Sequence, residues 1–209
     1  MLAPRRSRRH TWAQAREWAT KETPKMRTLQ STVDEINQLF ASRGDSQYGG
    51  EAVSQREHAL QAALLAEQQG DSPAVIVAAL LHDVGHLLHD LPNDAPDRGI
   101  DDLHEQLGYE WLAERFGADV CEPVRQHVAA KRYLCAVEPD YLDNLSEPSK
   151  ISLALQGGPL RDDEVRAFEA QPHFRANVAV RRHDDRAKVA GLATPPVEYF
   201  AKYIEQVAC

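Results

Sequence analysis

His82 and Asp83 stand inside the most apolar stretch of the chain, 74–88. Two ionisable side chains in a dry helix cost several kcal/mol when unpaired, so a metal ion or a tight hydrogen-bond network has to meet them. Taken alone, such a pair is as readily a histidine satisfied by its neighbour. Three more histidines change that balance. His58, His104 and His127 each fall near the inward face of a separate expected helix, and Asp184 or Asp185 lies on a later one. Helices of a bundle can aim such residues at one point. Four imidazoles with two carboxylates are too many donors for one tetrahedral zinc, and no soft sulfur ligand accompanies them. Two ions bridged by a carboxylate use the set economically. Asp83 is the natural bridge, because it follows a ligand directly on a rigid helix, and the donors favour iron or manganese over copper or structural zinc.

The elements that must position these residues read as helices almost throughout, with no strand pattern and no internal repeat. Thr32, Val33, Ile36, Leu39 and Phe40 mark an apolar face that Gly44 closes. A turn-rich stretch, 45–50, leads to a helix over 54–69 carrying His58 and ending at Gly70. Pro73 opens the next helix, 74–88, which is apolar nearly all round and so predicts the buried centre of the fold. After a Pro- and Asp-rich loop from Pro92 to Gly99 come helices over 101–116 and 119–137. In the second of these Val120, Val124, His127, Lys131 and Leu134 form one line, so its polar members face inward. The segment 146–158 has no clear pattern. Helices over 163–170 and 173–190 and a last one from Pro195-Pro196 complete the chain.

With 209 residues, 43% of them hydrophobic and 27% charged, the chain is long enough for one well-cored domain and too apolar for wholesale disorder. The first 25 residues hold seven Lys/Arg against two Glu, which leaves the rest strongly acidic within a net charge of −8. An acidic body is a poor partner for nucleic acid. Residues 1–27 read as a basic, poorly ordered extension without the apolar segment of a secretory signal, with Met26 an alternative first residue. Three cysteines, Cys121, Cys135 and Cys209, make neither a CxxC pair nor an even set, so a disulfide framework is not expected and a reducing cytoplasm fits. No apolar run approaches the ~20 residues of a membrane span.

Taken in order, His58, the pair His82-Asp83 and the late Asp184 resemble the H…HD…D pattern of the HD-domain superfamily, a helical fold of metal-dependent phosphohydrolases. His104 and His127 extend the likeness to its dinuclear members. The stretch Tyr48-Gly49-Gly50-Glu51-Ala52-Val53-Ser54-Gln55, the form His82-Asp83-Val84-Gly85-His86, and Lys131 one turn after His127 narrow it. Over residues 28–209 the chain resembles the mixed-valent di-iron oxygenases that cleave the carbon–phosphorus bond of 1-hydroxyphosphonates (the PhnZ and TmpB type).

This resemblance implies an all-α HD-domain bundle around a buried dinuclear site. His58, His82, Asp83 and Asp184 would hold one iron, and His104, His127 and the bridging Asp83 the other, as an Fe(II)/Fe(III) pair with O2 as co-substrate. Asp184 is preferred to Asp185 because Lys188 follows it at i+4, as in the family's Asp-x-x-x-Lys pattern; helical phase leaves both open. His86, Lys131, Ser149 and Arg181 match the phosphonate contacts, Tyr48 the gate residue displaced by substrate, and Glu51 the group that meets an ammonium end. His10, His89, His173 and His183 are given no role. The implied reaction yields phosphate with glycine or glycine betaine, from a primary amine or a trimethylammonium substrate. A metal-dependent phosphohydrolase acting on a phosphate ester or nucleotide, and a metal-stabilised binding module without turnover, are the alternatives.

Overall fold

In the computed structural model, which describes residues 29–91 and 98–209, the described residues form helices and turns, with two isolated β-bridges and no strand. The basic extension expected over 1–27, Met26 and His10 within it, and most of the loop expected from Pro92 to Gly99 lie outside the described residues.

The first helix, α1, spans Leu29–Arg43 and buries Thr32, Val33, Ile36 and Phe40 before Gly44 closes it on the Phe40 carbonyl. Helix α2, Gln55–Gln69, begins at a capping box in which Ser54 and Glu57 satisfy each other's backbone N–H, and ends on Gly70 in the left-handed conformation. Its buried alanines, Ala59, Ala62, Ala63 and Ala66, let the next helix approach closely. That helix, α3, Pro73–Leu81, is capped by Ser72, and every residue from Val75 to Leu81 is buried. It is the centre of the bundle.

Here the structure departs from the single helix expected over 74–88. The α-helix stops at Leu81, Asp83 takes φ −103° and ψ 15°, and Val84–Leu87 form a 3-10 turn. Consecutive side chains on an α-helix diverge by about 100°, so His82 and Asp83 could not both face one centre from an unbroken helix. The break re-aims the carboxylate. Asp83 therefore does not sit on a rigid helix; it sits where one ends.

The chain then enters α4, His104–Leu112, shorter than the expected 101–116, because Asp102 caps its start and Leu103 turns into the left-handed region at φ 51°. Helix α5, Ala118–Val137, buries all five residues of its predicted inward line. The short α6, Tyr141–Asn144, follows, and α7, Glu147–Leu155, capped by Ser146, occupies most of the segment 146–158 that had no clear pattern. Helix α8 spans Asp162–Glu169, and α9, Phe174–Arg186, ends four residues before the expected 190. Past that end the Ala187 carbonyl turns to His58, and Gln61 holds the Val189 backbone through both its N–H and its carbonyl. A 3-10 turn, Val197–Phe200, and α10, Ala201–Val207, replace the helix expected from Pro195.

Helix α3 packs against α2, α5, α9 and α10, and α4 lies across α5 and the 3-10 turn after α3. Ile36, Phe40, Leu80, Leu112, Phe200 and Ile204 fill the main core. Gly85 is required where the turn meets α4. A Cβ there would stand 1.9 Å from the His104 carbonyl oxygen.

Candidate metal centre

Four helices and one turn deliver the polar residues of the interior to a single cluster. His58 comes from α2, His82 and Asp83 from the break after α3, His104 from the first residue of α4, His127 from α5 and Asp184 from α9. All are buried, and His58 and His82 completely so.

Each imidazole presses Nδ1 against an oxygen that can only accept. His58 donates to the Ala187 carbonyl at 2.8 Å, His82 to Ala79 at 2.8 Å, His127 to Val124 at 2.7 Å, and His104 to the Asp102 carboxylate at 2.8 Å. The proton of each neutral ring is thereby placed on Nδ1, and Nε2 turns a bare lone pair inward. Those lone pairs meet one another, His58 to His82 at 3.0 Å and His104 to His127 at 3.1 Å. Acceptor against acceptor is repulsive unless positive charge lies between them.

The carboxylates sharpen the requirement. Asp83 Oδ2 lies 3.3 Å from His82 Nε2 and 3.5 Å from His58 Nε2, while Oδ1 lies 3.3 Å from His127 Nε2 and 3.4 Å from His104 Nε2. Asp184 Oδ1 joins the first pair, 3.4 Å from His58 Nε2 and 3.9 Å from His82 Nε2. One ligand atom each from His58, His82 and Asp184 falls within 4.8 Å of the others, as it does for Asp83, His86 and His104. Asp185 points elsewhere, accepting from the Tyr141 hydroxyl and from Arg181.

Left to protons alone, the cluster would recruit positive charge. Burial by itself lowers the basicity of His58, but contact with Asp184 and Asp83 lifts its pKa to about 9. Burial likewise disfavours His104⁺, and Asp102 and Asp83 nonetheless raise it to about 10. Burial opposes ionisation of Asp83 and Asp184, yet His82, His127 and His58 hold the first, and Arg181 with His58 the second, well below the usual carboxylate range. Donors of this kind, with imidazoles anchored through their second nitrogen, fit a buried metal site.

Beside the cluster opens a cavity of about 90 Å³ whose wall includes Tyr48, Glu51, His86, Lys131, Ser149 and Arg181. The Tyr48 hydroxyl reaches Asp184 Oδ1 at 3.5 Å. His86 stacks on His104 with centroids 4.0 Å apart and donates Nδ1–H to Asp102 at 2.9 Å. Lys131 is buried, donates to Ser152 Oγ at 2.8 Å, and has its pKa brought down to about 7 by burial and then by the nearby Arg181 charge. Ser149 accepts from Lys188 Nζ at 2.9 Å. Glu51 pairs with Lys188 at 3.3 Å and accepts from Ser146 Oγ, so in this structure its charge already has a cation. Arg181 spends Nε on the Tyr141 hydroxyl at 3.1 Å, NH1 on Asp184 at 2.7 Å, and NH2 on Asp185. It touches the cavity and braces the last carboxylate.

The sequence reading did not single out several of these partners. Asp102 falls in the first turn of the helix expected over 101–116, where an acidic residue is ordinary, whereas in the structure it precedes α4. Lys188 served only to choose Asp184, although the same i+4 relation places it against Ser149 and Glu51. Gln61 and Tyr141 carried no signal at all. Of the histidines given no role, His89 bonds Asp102 at 3.2 Å, His173 bonds Asp119 at 3.0 Å, and His183, buried, bonds Asp71 at 2.7 Å.

Among the described residues no helix is long and apolar enough to cross a membrane. The HD domain family model matches residues 56–154. A 1-hydroxy-2-(trimethylamino)ethylphosphonate dioxygenase (glycine-betaine-forming) of Leisingera caerulea is 43% identical over 175 residues, covering 84% of this chain and 89% of that protein. A hydroxymethylphosphonate dioxygenase of Gimesia maris is 43% identical over 174 residues, covering 83% of this chain and 86% of that protein. An uncharacterized protein of Acanthamoeba polyphaga mimivirus is 35% identical over 178 residues, covering 84% of this chain and 81% of its own. With a helical bundle, a cluster of imidazoles around Asp83 and relatives that align over most of their length, the chain belongs to the HD-domain family that includes these phosphonate dioxygenases.

Proposed function

We propose that the chain is a di-iron oxygenase that cleaves the carbon–phosphorus bond of 1-hydroxy-2-aminoethylphosphonate or its N-trimethyl analogue. The products are phosphate and glycine or glycine betaine, with one O2 consumed per bond broken. Both named relatives act on a small hydroxyphosphonate, which supports a small-molecule substrate of this class. The observation that carries the reading is the division of Asp83, one oxygen facing His58 and His82 and the other facing His104 and His127.

His58, His82, Asp83 and Asp184 would hold one iron, and Asp83, His104 and His127 the other. A ferrous–ferric pair there supplies dioxygen activation and removal of hydrogen from C1. The second group has one carboxylate oxygen and two imidazoles, fewer protein donors than the first, and it borders the cavity. Substrate therefore enters on its side.

The chain's own task is to orient and neutralise. Lys131, Ser149, His86 and the guanidinium of Arg181 line the cavity and supply donors to the phosphonate oxygens. Preorganised donors in a dry pocket act on an anion far more strongly than in water. Tyr48 closes the wall over the first group, and its hydroxyl withdraws when substrate fills the cavity. Glu51 turns from Lys188 to a substrate ammonium, a direct exchange of one cation for another.

Phosphate release measured in air and under nitrogen tests this function. The expected result is phosphate from the hydroxyphosphonate only with O2, in equal amounts with oxygen consumed. Phosphate from an ester or nucleotide at equal rates without oxygen, and none from any hydroxyphosphonate in air, would make the chain a hydrolase of the same fold.

A further inference from the structure

Outside the six candidate ligands, one carboxylate gathers three histidines. Asp102 Oδ1 accepts from His104 Nδ1 at 2.8 Å and from the His104 backbone N–H at 3.3 Å. Its Oδ2 accepts from His86 Nδ1 at 2.9 Å and from His89 Nε2 at 3.2 Å. His86, His89 and Asp102 also lie close enough together to suggest a separate metal. Proton bookkeeping argues otherwise. His89 Nδ1 accepts the Leu91 N–H at 3.1 Å, so the proton of its neutral ring is on Nε2 and points at Asp102, which leaves no lone pair for an ion. The group is a hydrogen-bond hub.

The hub acts on His104 in a way that no other contact duplicates. His58, His82 and His127 fix their tautomers on backbone carbonyls, which no side-chain substitution removes. His104 alone depends on a side chain. It is also the first residue of α4, preceded by Leu103 in the left-handed region and pressed against Gly85, so its backbone is set but its ring is free to choose a tautomer. Without an acceptor at Nδ1 the proton can move to Nε2, where it would point at His127 and Asp83. A carboxylate on a ligand's far nitrogen fixes the ring and raises its basicity.

We propose that Asp102 is the positioning residue that completes the His104–His127 half of the centre, and that it sets His86 against the cavity through its other oxygen. This inference rests on the two-ion reading. It predicts that the two halves are separable, because Asp102 touches none of His58, His82 or Asp184.

The test is equilibrium dialysis of the metal-free full-length protein against Fe(II) under nitrogen, with the wild type, Asp102→Asn, Asp102→Glu and His104→Ala. Asparagine is nearly isosteric but uncharged and has one acceptor oxygen in place of two, so it withdraws the carboxylate's support for the basicity of His104 and sets an amide N–H against the N–H groups on one of its two sides. The wild type is expected to take up two equivalents. Asp102→Asn should bind the first unchanged and the second about 10–100-fold more weakly, Asp102→Glu should recover part of that loss, and His104→Ala should lose the second altogether. Two equivalents at wild-type affinity in Asp102→Asn would overturn the proposal alone. Equal weakening of both equivalents, with a lower melting temperature of the metal-free protein, would also overturn it by making Asp102 a general determinant of the fold. Fewer than two equivalents in the wild type would overturn the two-ion reading and this inference together.

Discussion

The ring of Tyr48 lies flat on the imidazole of His58, centroids 3.9 Å apart and planes 14° from parallel, with its hydroxyl 3.5 Å from Asp184 Oδ1. Burial, then the charges of Asp184 and Asp83, raise the phenol pKa well above its ordinary value, so the hydroxyl stays protonated and donates. The residue lines the cavity with its ring laid over His58. Tyr48→Phe keeps the stack and removes the donor. Oxygen consumption in the absence of substrate, read with an oxygen electrode, should rise several-fold, because a sealed site suppresses such side reactions. An unchanged blank rate would show that the hydroxyl does not seal it.

Lys131 sets a pH limit with opposite signs for activity and stability. Its folded pKa of about 7 lies below the ordinary 10.5, so the cation needed for an anionic substrate is lost as pH rises through 7. kcat/KM should fall by up to about tenfold per pH unit above 7, and Lys131→Met should be slow with that limb flattened. Stability runs the other way. Between pH 7 and 10.5 the unfolded chain binds more protons at this residue than the folded one, so burial of Lys131 costs most below pH 7 and the cost fades as pH rises. Melting curves of Lys131→Met should show a gain over wild type that is greatest at or below pH 7.

Gly85→Ala places a methyl group 1.9 Å from the His104 carbonyl oxygen, where the obstacle is backbone and cannot swing aside. Overpacking of this kind costs about 1–3 kcal/mol. A lower denaturation midpoint together with weaker uptake of the second metal equivalent is expected, since the displaced segment carries His104.

How far the site could be read from the sequence depended on whether a residue obeyed the period of its element. Val120, Val124, His127, Lys131 and Leu134 keep helical phase in α5, and all five are buried. The helix carrying His58, expected over 54–69, spans Gln55–Gln69 behind its Ser54 cap. The break after Leu81 could not be read, because the apolar pattern runs on to Leu88; what stops the helix is a tertiary demand that both His82 and Asp83 face inward. The early end of α9 has the same origin, since the Ala187 carbonyl is claimed by His58 and the Val189 backbone by Gln61. Lys188 reaches Ser149 and Glu51 from far along the chain, and Asp102 joins His86 and His89 to its near neighbour His104, a convergence that no local pattern reveals.

Arg181 is 3% exposed and has every nitrogen engaged by Tyr141, Asp184 or Asp185. Arg181→Met leaves the Asp184 carboxylate buried without its cation, a loss of about 3–5 kcal/mol in metal-free protein. Urea unfolding with and without added Fe(II) checks this. The deficit should shrink when metal is present, because a bound cation takes over part of the compensation.

Iron analysis combined with electron paramagnetic resonance of air-exposed protein is the most direct measurement of the account. Two irons per chain and the spectrum of a coupled ferrous–ferric pair are predicted, with that spectrum absent in His104→Ala while some iron remains bound. A single ion per chain, or two ions that show no coupling in any oxidation state, would contradict a centre bridged through Asp83.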